Sequence, residues 1–405
     1  MTAQMTRQKP KNQADRKRED GKPEGKKSGG GKVAGRKPGG RKPGSEKAGG
    51  RKPGGGKPEL RGLTLPEISR IVDEMNEPAY RAGQIASWVY KKAAGSFDEM
   101  TNLSKSLRTE LAGRASLNPL TPVRTSKSRH GPTTKYLFEL QDGQKVETVL
   151  IGGSRRNTLC ISTQVGCAIG CRFCASGLEG LVRNMTSAEI VDQVVQVKQQ
   201  VMLAGDDRPI NNIVVMGMGE PLANYRQVLR AVRIINADWG LGIGARKITL
   251  STSGLVPKIY QLAEEKIQFE LSVSLHAADD RTRTSIVPLN RRFPLKQLMK
   301  ACRHYTGATD RIITYEYVLL KGVNDRFQDA ENLVKLLKKD KCKLNLIPYN
   351  QVQGLPYETP DEHRRTAFAD ALRAGGLQLT IRRERGRDID AACGQLRLAE
   401  SRRSR

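Results

Sequence analysis

The chain has 405 residues, of which 70 are Lys or Arg and 42 are Asp or Glu, so its formal net charge is +28. No run approaches the roughly 18 apolar residues that span a bilayer, and the N-terminus lacks the apolar core of a secretory signal. Seven unevenly spaced Cys do not form a secreted disulfide framework. We therefore expect a cytoplasmic protein without a membrane span, and the charge favours nucleic acid as its partner.

The first 58 residues differ in composition from the rest of the chain. Residues 1–58 hold 18 Lys or Arg against 5 acidic residues, a net +13, together with 14 of the 40 Gly. They bury too little apolar surface to offset their conformational entropy, so we predict a disordered basic tail. Such a tail can contact phosphates without sequence preference, although a solvated segment without a task explains it equally well.

A small helical domain is predicted to follow the tail. Thr64 and Glu67 have the spacing of a capping box, with a proline in the first turn. Apolar residues then recur at helical spacing, and two more helices are predicted at 81–93 and 105–114. We therefore predict a helical accessory domain at 59–120. Its basic side chains are compatible with binding of RNA and equally with an ordinary solvated surface.

The next segment carries the signal of a β-hairpin. Two strand-like runs, at 135–140 and 145–151, flank a turn that contains Asp142 and Gly143. Asp-Gly between two such runs is a strong indication of a hairpin. We therefore predict that 121–157 forms a β-hairpin extension between the helical domain and the remainder of the chain.

From residue 158 onward, strand-like runs alternate with helical patterns. This alternation predicts an α/β fold with a parallel sheet and right-handed crossovers. The units are too few for a closed eight-fold barrel, and no Gly-x-Gly-x-x-Gly motif after the first strand favours a doubly wound sheet. We therefore predict an open, partial (β/α)6-type barrel at 158–400, with strands at 158–163, 212–216, 247–251, 269–274, 312–319, 344–348 and 377–381.

Three cysteines, Cys167, Cys171 and Cys174, lie within eight residues just after the first predicted barrel strand. A structural zinc site needs four ligands, so a zinc knuckle would have to borrow a distant one. A [4Fe–4S] cluster held by three thiolates leaves one iron with an open coordination position. In this α/β setting the Cys-x3-Cys-x2-Cys spacing resembles the radical S-adenosylmethionine (radical SAM) superfamily, whose open iron binds the amino and carboxylate groups of SAM. The resemblance implies one [4Fe–4S] cluster and SAM as cofactors.

Small polar clusters follow several of the later strands. Each of them alone is explained by a turn or a helix N-cap. The carboxyl ends of parallel barrel strands meet at one rim, where barrel active sites are built, so four such clusters favour a shared pocket. The clusters occupy 216–221, 251–254, 274–276 and 348–350.

Four cysteines lie outside the triplet. Cys160 precedes Cys167 by seven residues, and Cys393 lies in a stretch of small residues at 388–396. Cys302 and Cys342 fall in helical or strand-edge contexts, and we interpret both as packing residues.

Taken together, these motifs resemble the RlmN family of ribosomal and transfer RNA methyltransferases. The resemblance covers nearly all of 60–400 and includes the helical start of the chain. The basic tail departs from the usual short N-terminus of the family. The residues that carry the resemblance are the 158–167 segment, the cysteine triplet, the 216–222 and 251–254 motifs, 274–277 and the Cys393 segment.

The resemblance implies methylation of adenosine C2 in 23S rRNA and in tRNAs, with two SAM molecules per turnover. It assigns Cys393 as the residue that is methylated first, Cys160 as the thiol that resolves the RNA adduct through a disulfide, and Glu147 as the base that takes the C2 proton. The cluster ligands are Cys167, Cys171 and Cys174. The implied SAM contacts are Gly219, Glu220, Ser251, Ser274, Leu275, His276 and Asn350.

The same resemblance implies a monomer that receives electrons from a donor such as flavodoxin or ferredoxin. The RNA must present an unstacked adenine. The motifs leave adenine C8 methylation open, because relatives on this scaffold perform it with the same cysteine chemistry. A radical SAM activase of a protein substrate would leave Cys160 and Cys393 without a role. An iron–sulfur protein that only binds RNA or transfers electrons would leave the SAM pocket without one.

Overall fold

The computed structural model describes residues 57–396 except 155, 179, 266, 383 and 384. The predicted basic tail at 1–58 therefore lies outside the described residues, apart from its last two positions. None of the helices in the described ranges combines the length and the apolar character that a membrane crossing requires.

The chain begins with the predicted helical region. Its helices are α1 (Leu65–Glu74), α2 (Tyr80–Ala86) and α3 (Lys105–Arg114). The predicted capping box is present, because the Thr64 backbone N–H donates to Glu67 Oε2 at 2.7 Å. The helix predicted at 81–93 is split, since α2 passes into a π-helical turn at Ser87–Lys91.

A buried ion pair fastens this helical region to the rest of the fold. Arg61 Nε lies 3.0 Å from Asp192 Oδ1, and both side chains are buried. The Arg61 guanidinium also donates to the carbonyl of Ala94 at 2.8 Å. Breaking such a pair leaves an uncompensated buried charge, so both partners are needed to hold the two regions together.

The strands form a ten-stranded sheet and a separate two-stranded one. In the large sheet, β1 to β4 pair antiparallel, and β4, β7, β8, β9, β10, β11 and β12 continue in parallel order. The strands are β1 (Leu120–Lys127), β2 (Thr133–Leu140), β3 (Lys145–Gly152), β4 (Asn157–Cys160), β5 (Gln164–Gly166), β6 (Leu181–Asn184), β7 (Ile210–Val215), β8 (Ile248–Thr252), β9 (Glu270–Ser274), β10 (Ile313–Leu319), β11 (Cys342–Pro348) and β12 (Leu379–Ile381).

Helices connect the parallel strands and pack their apolar faces into a common core. The predicted α/β fold with an open, partial barrel is confirmed, because the sheet has two edges, β1 and β12. The helices after β6 are α4 (Ser187–Leu203), α5 (Tyr225–Asn236), α6 (Val256–Ala263), α7 (Asp280–Ile286), α8 (Leu295–Thr309), α9 (Phe327–Leu337) and α10 (Glu362–Ala374).

Two parts of the sheet were not predicted. The β1 strand pairs with β2, so the predicted hairpin is a three-stranded antiparallel arm that joins the barrel through β4. Most β1 side chains are exposed, which removes the apolar alternation that marks a strand in sequence. The short β5–β6 hairpin, which flanks the cysteine triplet, has too few residues to show a period.

The C-terminal segment, 385–396, returns from β12 to the antiparallel arm. Arg385 Nη1 donates to the carbonyl of Gly152 at the end of β3, at 2.7 Å. Lys135 Nζ on β2 donates to the carbonyl of Asp390 at 3.2 Å. These bonds hold the segment, which follows β12, against the ends of β2 and β3 in the antiparallel arm and bring Cys393 to the barrel rim.

Candidate functional site

The cysteine triplet lies in the loop between β5 and β6. Burial raises the pKa of all three thiols, to about 12 for Cys167, and the charge of Cys174 adds to the effect for Cys167 and Cys171. Ionising three neighbouring buried thiols is therefore costly unless a positively charged group compensates. A metal centre would supply that compensation.

The surroundings of these sulfurs fit an iron–sulfur cluster. Polar groups act against the effect of burial on the pKa of these thiols: backbone N–H groups for Cys167 and Cys174, and the Ser253 hydroxyl for Cys171. Hydrogen bonds to sulfur are one of the means by which proteins tune such clusters. Within the described ranges, no three His, Cys, Asp or Glu side chains are arranged to hold a single ion. A [4Fe–4S] cluster does not need that arrangement, because each thiolate binds a different iron.

A cavity opens beside the triplet at the carboxyl ends of the parallel strands. The residues predicted to contact SAM come from different strand ends, yet six of the seven line it. Leu275 does not line it, since its side chain is fully buried and its carbonyl accepts from Arg283 Nε at 3.0 Å. The six are Gly219, Glu220, Ser251, Ser274, His276 and Asn350.

The loop after β7 presents a carboxylate to this cavity. Gly219 has φ +104, and a Cβ there would lie 2.6 Å from the Cβ of Gln164, so only glycine fits. The next residue, Glu220, accepts from the backbone N–H of Leu222 at 3.0 Å and of Ser253 at 2.7 Å. Burial raises the pKa of Glu220, while these hydrogen bonds act in the opposite direction. The carboxylate is therefore fixed in place and can accept from the ammonium group of an amino acid.

Gly219→Ala should weaken SAM binding at least tenfold. The added methyl group must displace either Gln164 or the loop that carries Glu220. Equilibrium dialysis of the anaerobically reconstituted protein with labelled SAM measures this. Gly244→Ala is the matched control, because a Cβ at Gly244 meets nothing within 4 Å. Equal SAM affinity for both variants would remove the Gly219 loop from the SAM site.

His276 contributes a neutral imidazole to the cavity. Its Nδ1 accepts from the backbone N–H of Val318 at 3.1 Å, which places the ring proton on Nε2. Burial lowers the pKa of His276 to about 3, so the ring is uncharged at neutral pH. The ring stands edge-on to Phe173, 4.9 Å away. His276 is thus a fixed, neutral hydrogen-bond donor rather than an acid or base.

One arginine behind the cavity ties two of the strand-end loops together. Arg283 on α7 is fully buried and donates to the carbonyls of Ser253 at 2.8 Å, Ser274 at 3.1 Å and Leu275 at 3.0 Å. The sequence motifs did not indicate this residue, because a single arginine in a short helix carries no pattern. Its contacts hold in register the loops that carry the predicted SAM residues.

Cys160 and Cys393 lie near each other, close enough for the charge of one to affect the pKa of the other. Cys160 ends β4 and is buried, whereas Cys393 is partly exposed and lines the cavity. Burial raises the pKa of Cys160 to about 12, the nearby Cys393 raises it further, and Arg382 acts in the opposite direction. Both thiols are free. The structure therefore brings together two cysteines that lie far apart in the sequence.

The C-terminal segment is anchored directly to the cysteine-triplet loop. The backbone N–H of Ala175 donates to the carbonyl of Gly394 at 2.8 Å, and Asn350 Nδ2 donates to the carbonyl of Cys393 at 3.3 Å. Cys393 is thus held between the predicted cluster loop and the β11 strand end.

Glu147 is buried on β3, with 2% of its surface exposed. Its carboxylate lies 2.9 Å from Lys135 Nζ, and the same ammonium reaches the Asp390 carbonyl of the C-terminal segment. Glu147 is thus buried beside the Cys393 segment rather than exposed at the surface, and its role as a base stays a prediction.

Comparison with known proteins decides the family. Residues 161–337 match the Radical SAM superfamily, and residues 58–117 match the ribosomal RNA large subunit methyltransferase N-terminal domain. A probable dual-specificity RNA methyltransferase RlmN of Opitutus terrae is 50% identical over 356 residues, which are 84% of this chain and 94% of that protein. The chain belongs to the RlmN family.

Other RlmN relatives and a solved structure agree with this assignment. The probable dual-specificity RNA methyltransferase RlmN of Bacillus licheniformis is 47% identical over 336 residues, or 83% of this chain and 92% of its own. The crystal structure of a radical SAM methyltransferase from Sphaerobacter thermophilus has 50% sequence identity and a TM-score of 0.82. It aligns with 84% of this chain and 99% of that chain. The family predicted from the motifs is confirmed, and membership implies a [4Fe–4S] cluster and SAM.

Arg382 and Ser253 also line the cavity of this RlmN-family chain, although the sequence prediction did not assign either to it. Ser253 belongs to a motif that was noticed, but an N-cap explained it equally well. Arg382 directly follows β12. Its place at a strand end, where the other polar clusters lie, is the signal that could have found it.

Proposed function

We propose that this chain methylates C2 of an adenosine in 23S rRNA and in tRNAs, through a methylated Cys393 and with two SAM molecules per turnover. The observation that carries the proposal is that Cys160 lies near Cys393, which lines a cavity that adjoins the cysteine triplet. Neither an activase of proteins nor an electron-transfer protein needs such a pair.

The cofactor residues of the proposal are those already placed around the cavity. Cys167, Cys171 and Cys174 would hold the cluster, and Glu220 would accept from the amino group of SAM. When bound, the cluster and SAM supply a carbon radical that can take a hydrogen atom from a methyl group. The chain itself supplies that methyl group, a base and a second thiol.

Cys393 is the proposed methyl acceptor. Adenine C2 offers no lone pair, so displacement on SAM cannot methylate it directly. A cysteine thiolate can displace the methyl group of SAM, which forms a carbon–sulfur bond and releases S-adenosylhomocysteine. The partial exposure of Cys393 in the cavity supports this role.

Glu147 and Cys160 complete the proposed reaction. After the methyl carbon of Cys393 has lost a hydrogen atom and bonded to C2, Glu147 takes the C2 proton. Cys160 then attacks the sulfur of Cys393, so that a sulfur–sulfur bond forms and the carbon–sulfur bond breaks. The released carbon takes a proton to become the methyl group, the one unpaired electron would return to the bound cluster, and the methylated RNA leaves. An external reductant must open the disulfide before the next turnover.

The proposal includes an outside electron donor such as flavodoxin or ferredoxin. A single copy of the chain contributes all the named residues, so we propose that it acts as a monomer. Its cytoplasmic location follows from its RNA substrates.

Adenine C8 methylation remains the alternative, because it would use the same cysteines. The relatives named as RlmN, at 46% and 50% identity over more than four fifths of the chain, support C2. Anaerobic reconstitution with SAM, reductant and 23S rRNA or tRNA, followed by mass spectrometry of the nucleosides, tests the proposal. We expect 2-methyladenosine, whereas 8-methyladenosine or unmodified adenosine would overturn it.

Removing the basic tail should weaken RNA binding at low salt. The cut belongs after residue 56, because Lys57 and Pro58 hydrogen-bond to Ala112 and Ser116. We expect the dissociation constant for RNA to rise several-fold at low salt and little at high salt, with turnover at saturating RNA retained. A tail of equal length with Gln in place of Lys and Arg should behave like the deletion. An unchanged salt dependence would show that the tail does not contact phosphates.

A further inference from the structure

A second cavity, of about 430 Å³, adjoins the first at Cys393. It lies where the C-terminal segment crosses from β12 to β3. Cys393, Asn350 and Arg382 line both cavities, so one cysteine faces two compartments. The first compartment contains the predicted SAM residues, whereas nothing in the proposed reaction has yet been assigned to the second.

The second cavity is strongly basic. Arg156, Arg382 and Arg385 line it, and none of the described residues that line it is Asp or Glu. The Arg156 side chain is exposed, and it makes no hydrogen bond to the described residues. Arg385 donates one N–H to the carbonyl of Gly152, so other N–H groups of its guanidinium are available to a ligand. Arg382 is partly balanced by Glu316, which lines the first cavity. Uncompensated guanidinium groups around a cavity favour an anion with several oxygens.

The remaining walls of the second cavity are largely apolar. Ile151 and Ile347 come from β3 and β11, and Ala391 and Ala392 precede Cys393 in the C-terminal segment. Apolar side chains beside the reactive thiol suit an unstacked base, whereas the arginines suit the phosphates on either side of it. The cavity volume lies in the range of ordinary small-ligand sites.

We propose that this second cavity is the subsite for the target nucleotide of the RNA. Arg156 and Arg385 bind the backbone phosphates that flank the target, and the apolar walls receive its adenine and present it to Cys393. The inference rests on the proposed function. It gives Cys393 a SAM side and an RNA side, so that the sulfur can take a methyl group from one compartment and deliver it into the other.

Single and double Arg156→Gln and Arg385→Gln variants test this subsite. The RNA is a short hairpin that carries the target adenosine, and its binding is measured over a range of salt concentrations. Each substitution should raise the dissociation constant for RNA about five- to tenfold. In a plot of the logarithm of this constant against the logarithm of the salt concentration, each should lower the slope by about one. When RNA is limiting, kcat/KM should fall because KM rises, whereas kcat should stay unchanged. The reason is that phosphate contacts stabilise the bound RNA and the transition state equally.

Arg373→Gln is the matched control. Arg373 is exposed on α10, pairs only with Asp370 among the described residues, and lines neither cavity. Arg373→Gln removes the same charge as Arg156→Gln. A difference in RNA affinity between the two variants therefore reflects the position of the arginine and not the net charge of the protein. Arg156 makes no hydrogen bond to the described residues, so its replacement keeps the test valid even if Arg385→Gln disturbs the Gly152 contact.

Methylation of Cys393 distinguishes a failure of the proposed subsite from a failure of the proposed function. This methylation needs no RNA, and mass spectrometry of the intact variants shows whether Cys393 still accepts a methyl group from SAM. Methylated Cys393 with RNA affinity and salt slope equal to the Arg373→Gln control would reject the subsite and leave the proposed function standing. No methyl group on Cys393 in the unaltered protein would instead reject the proposed function.

Discussion

Cys160→Ala should leave RNA covalently attached to the protein. Cys393 can still be methylated and can still bond to adenine, but no thiol remains to attack its sulfur. The expected product is an RNA joined to Cys393 through a methylene bridge. It should appear as a slowly migrating gel band that nuclease removes, and mass spectrometry of the digested peptide should locate the nucleotide on Cys393.

Cys393→Ala should behave differently, because it removes the methyl acceptor itself. Neither the protein nor the RNA should gain a methyl group, and no cross-link should form. Cys342→Ala is the matched control, since Cys342 lies at the start of β11 and lines neither cavity. Normal turnover by Cys160→Ala without a cross-link, or RNA methylation by Cys393→Ala, would return that cysteine to a packing role.

Loss of any one cysteine of the triplet should abolish both the cluster and the activity. Cys167→Ala, Cys171→Ala and Cys174→Ala each leave two thiolates, which should not hold a four-iron cluster. We expect the brown colour and its visible absorbance to disappear, with iron and sulfide contents well below four per chain after anaerobic reconstitution.

The same Cys342→Ala variant serves as the control for this experiment, because it removes a thiol without touching the triplet. Its iron content and activity should match those of the unaltered protein. A triplet variant that retained four irons would show that the ligands lie elsewhere. Circular dichroism of each variant establishes that the fold is present when the cluster is lost.

The strands and helices that the sequence predicted well are those with a clear hydrophobic period. Helix α4, one of the helices that alternate with the strands, begins with a capping box formed by Thr186 and Glu189. Central parallel strands such as β10 are largely buried and are separated by amphipathic helices, so local pattern alone identifies them. The exposed β1 strand and the short α7 helix have no such pattern, and both were missed. The domain limits at 59–120, 121–157 and 158–400 stay predictions.

The chemistry of the candidate site was visible in sequence wherever its residues lie close together. Cys167, Cys171 and Cys174 form a motif because one loop must supply all three thiols. Gly219 and Glu220 form another, because a strand must end in a turn that only glycine can make there. Residues of this kind need no knowledge of the fold to be recognised, only of the spacing that the chemistry requires.

By itself, the sequence determined the family, the α/β architecture and the candidate residues of the SAM side. Only the tertiary structure decided which distant residues meet. Lys135 reaches both Glu147 and Asp390, and Arg382 lies beside two cysteines that are separated by more than two hundred positions. Such contacts arise when the chain folds back across the open edge of the barrel, and local periodicity carries no information about them. The basic second cavity exists for the same reason, since its arginines come from both sides of that crossing.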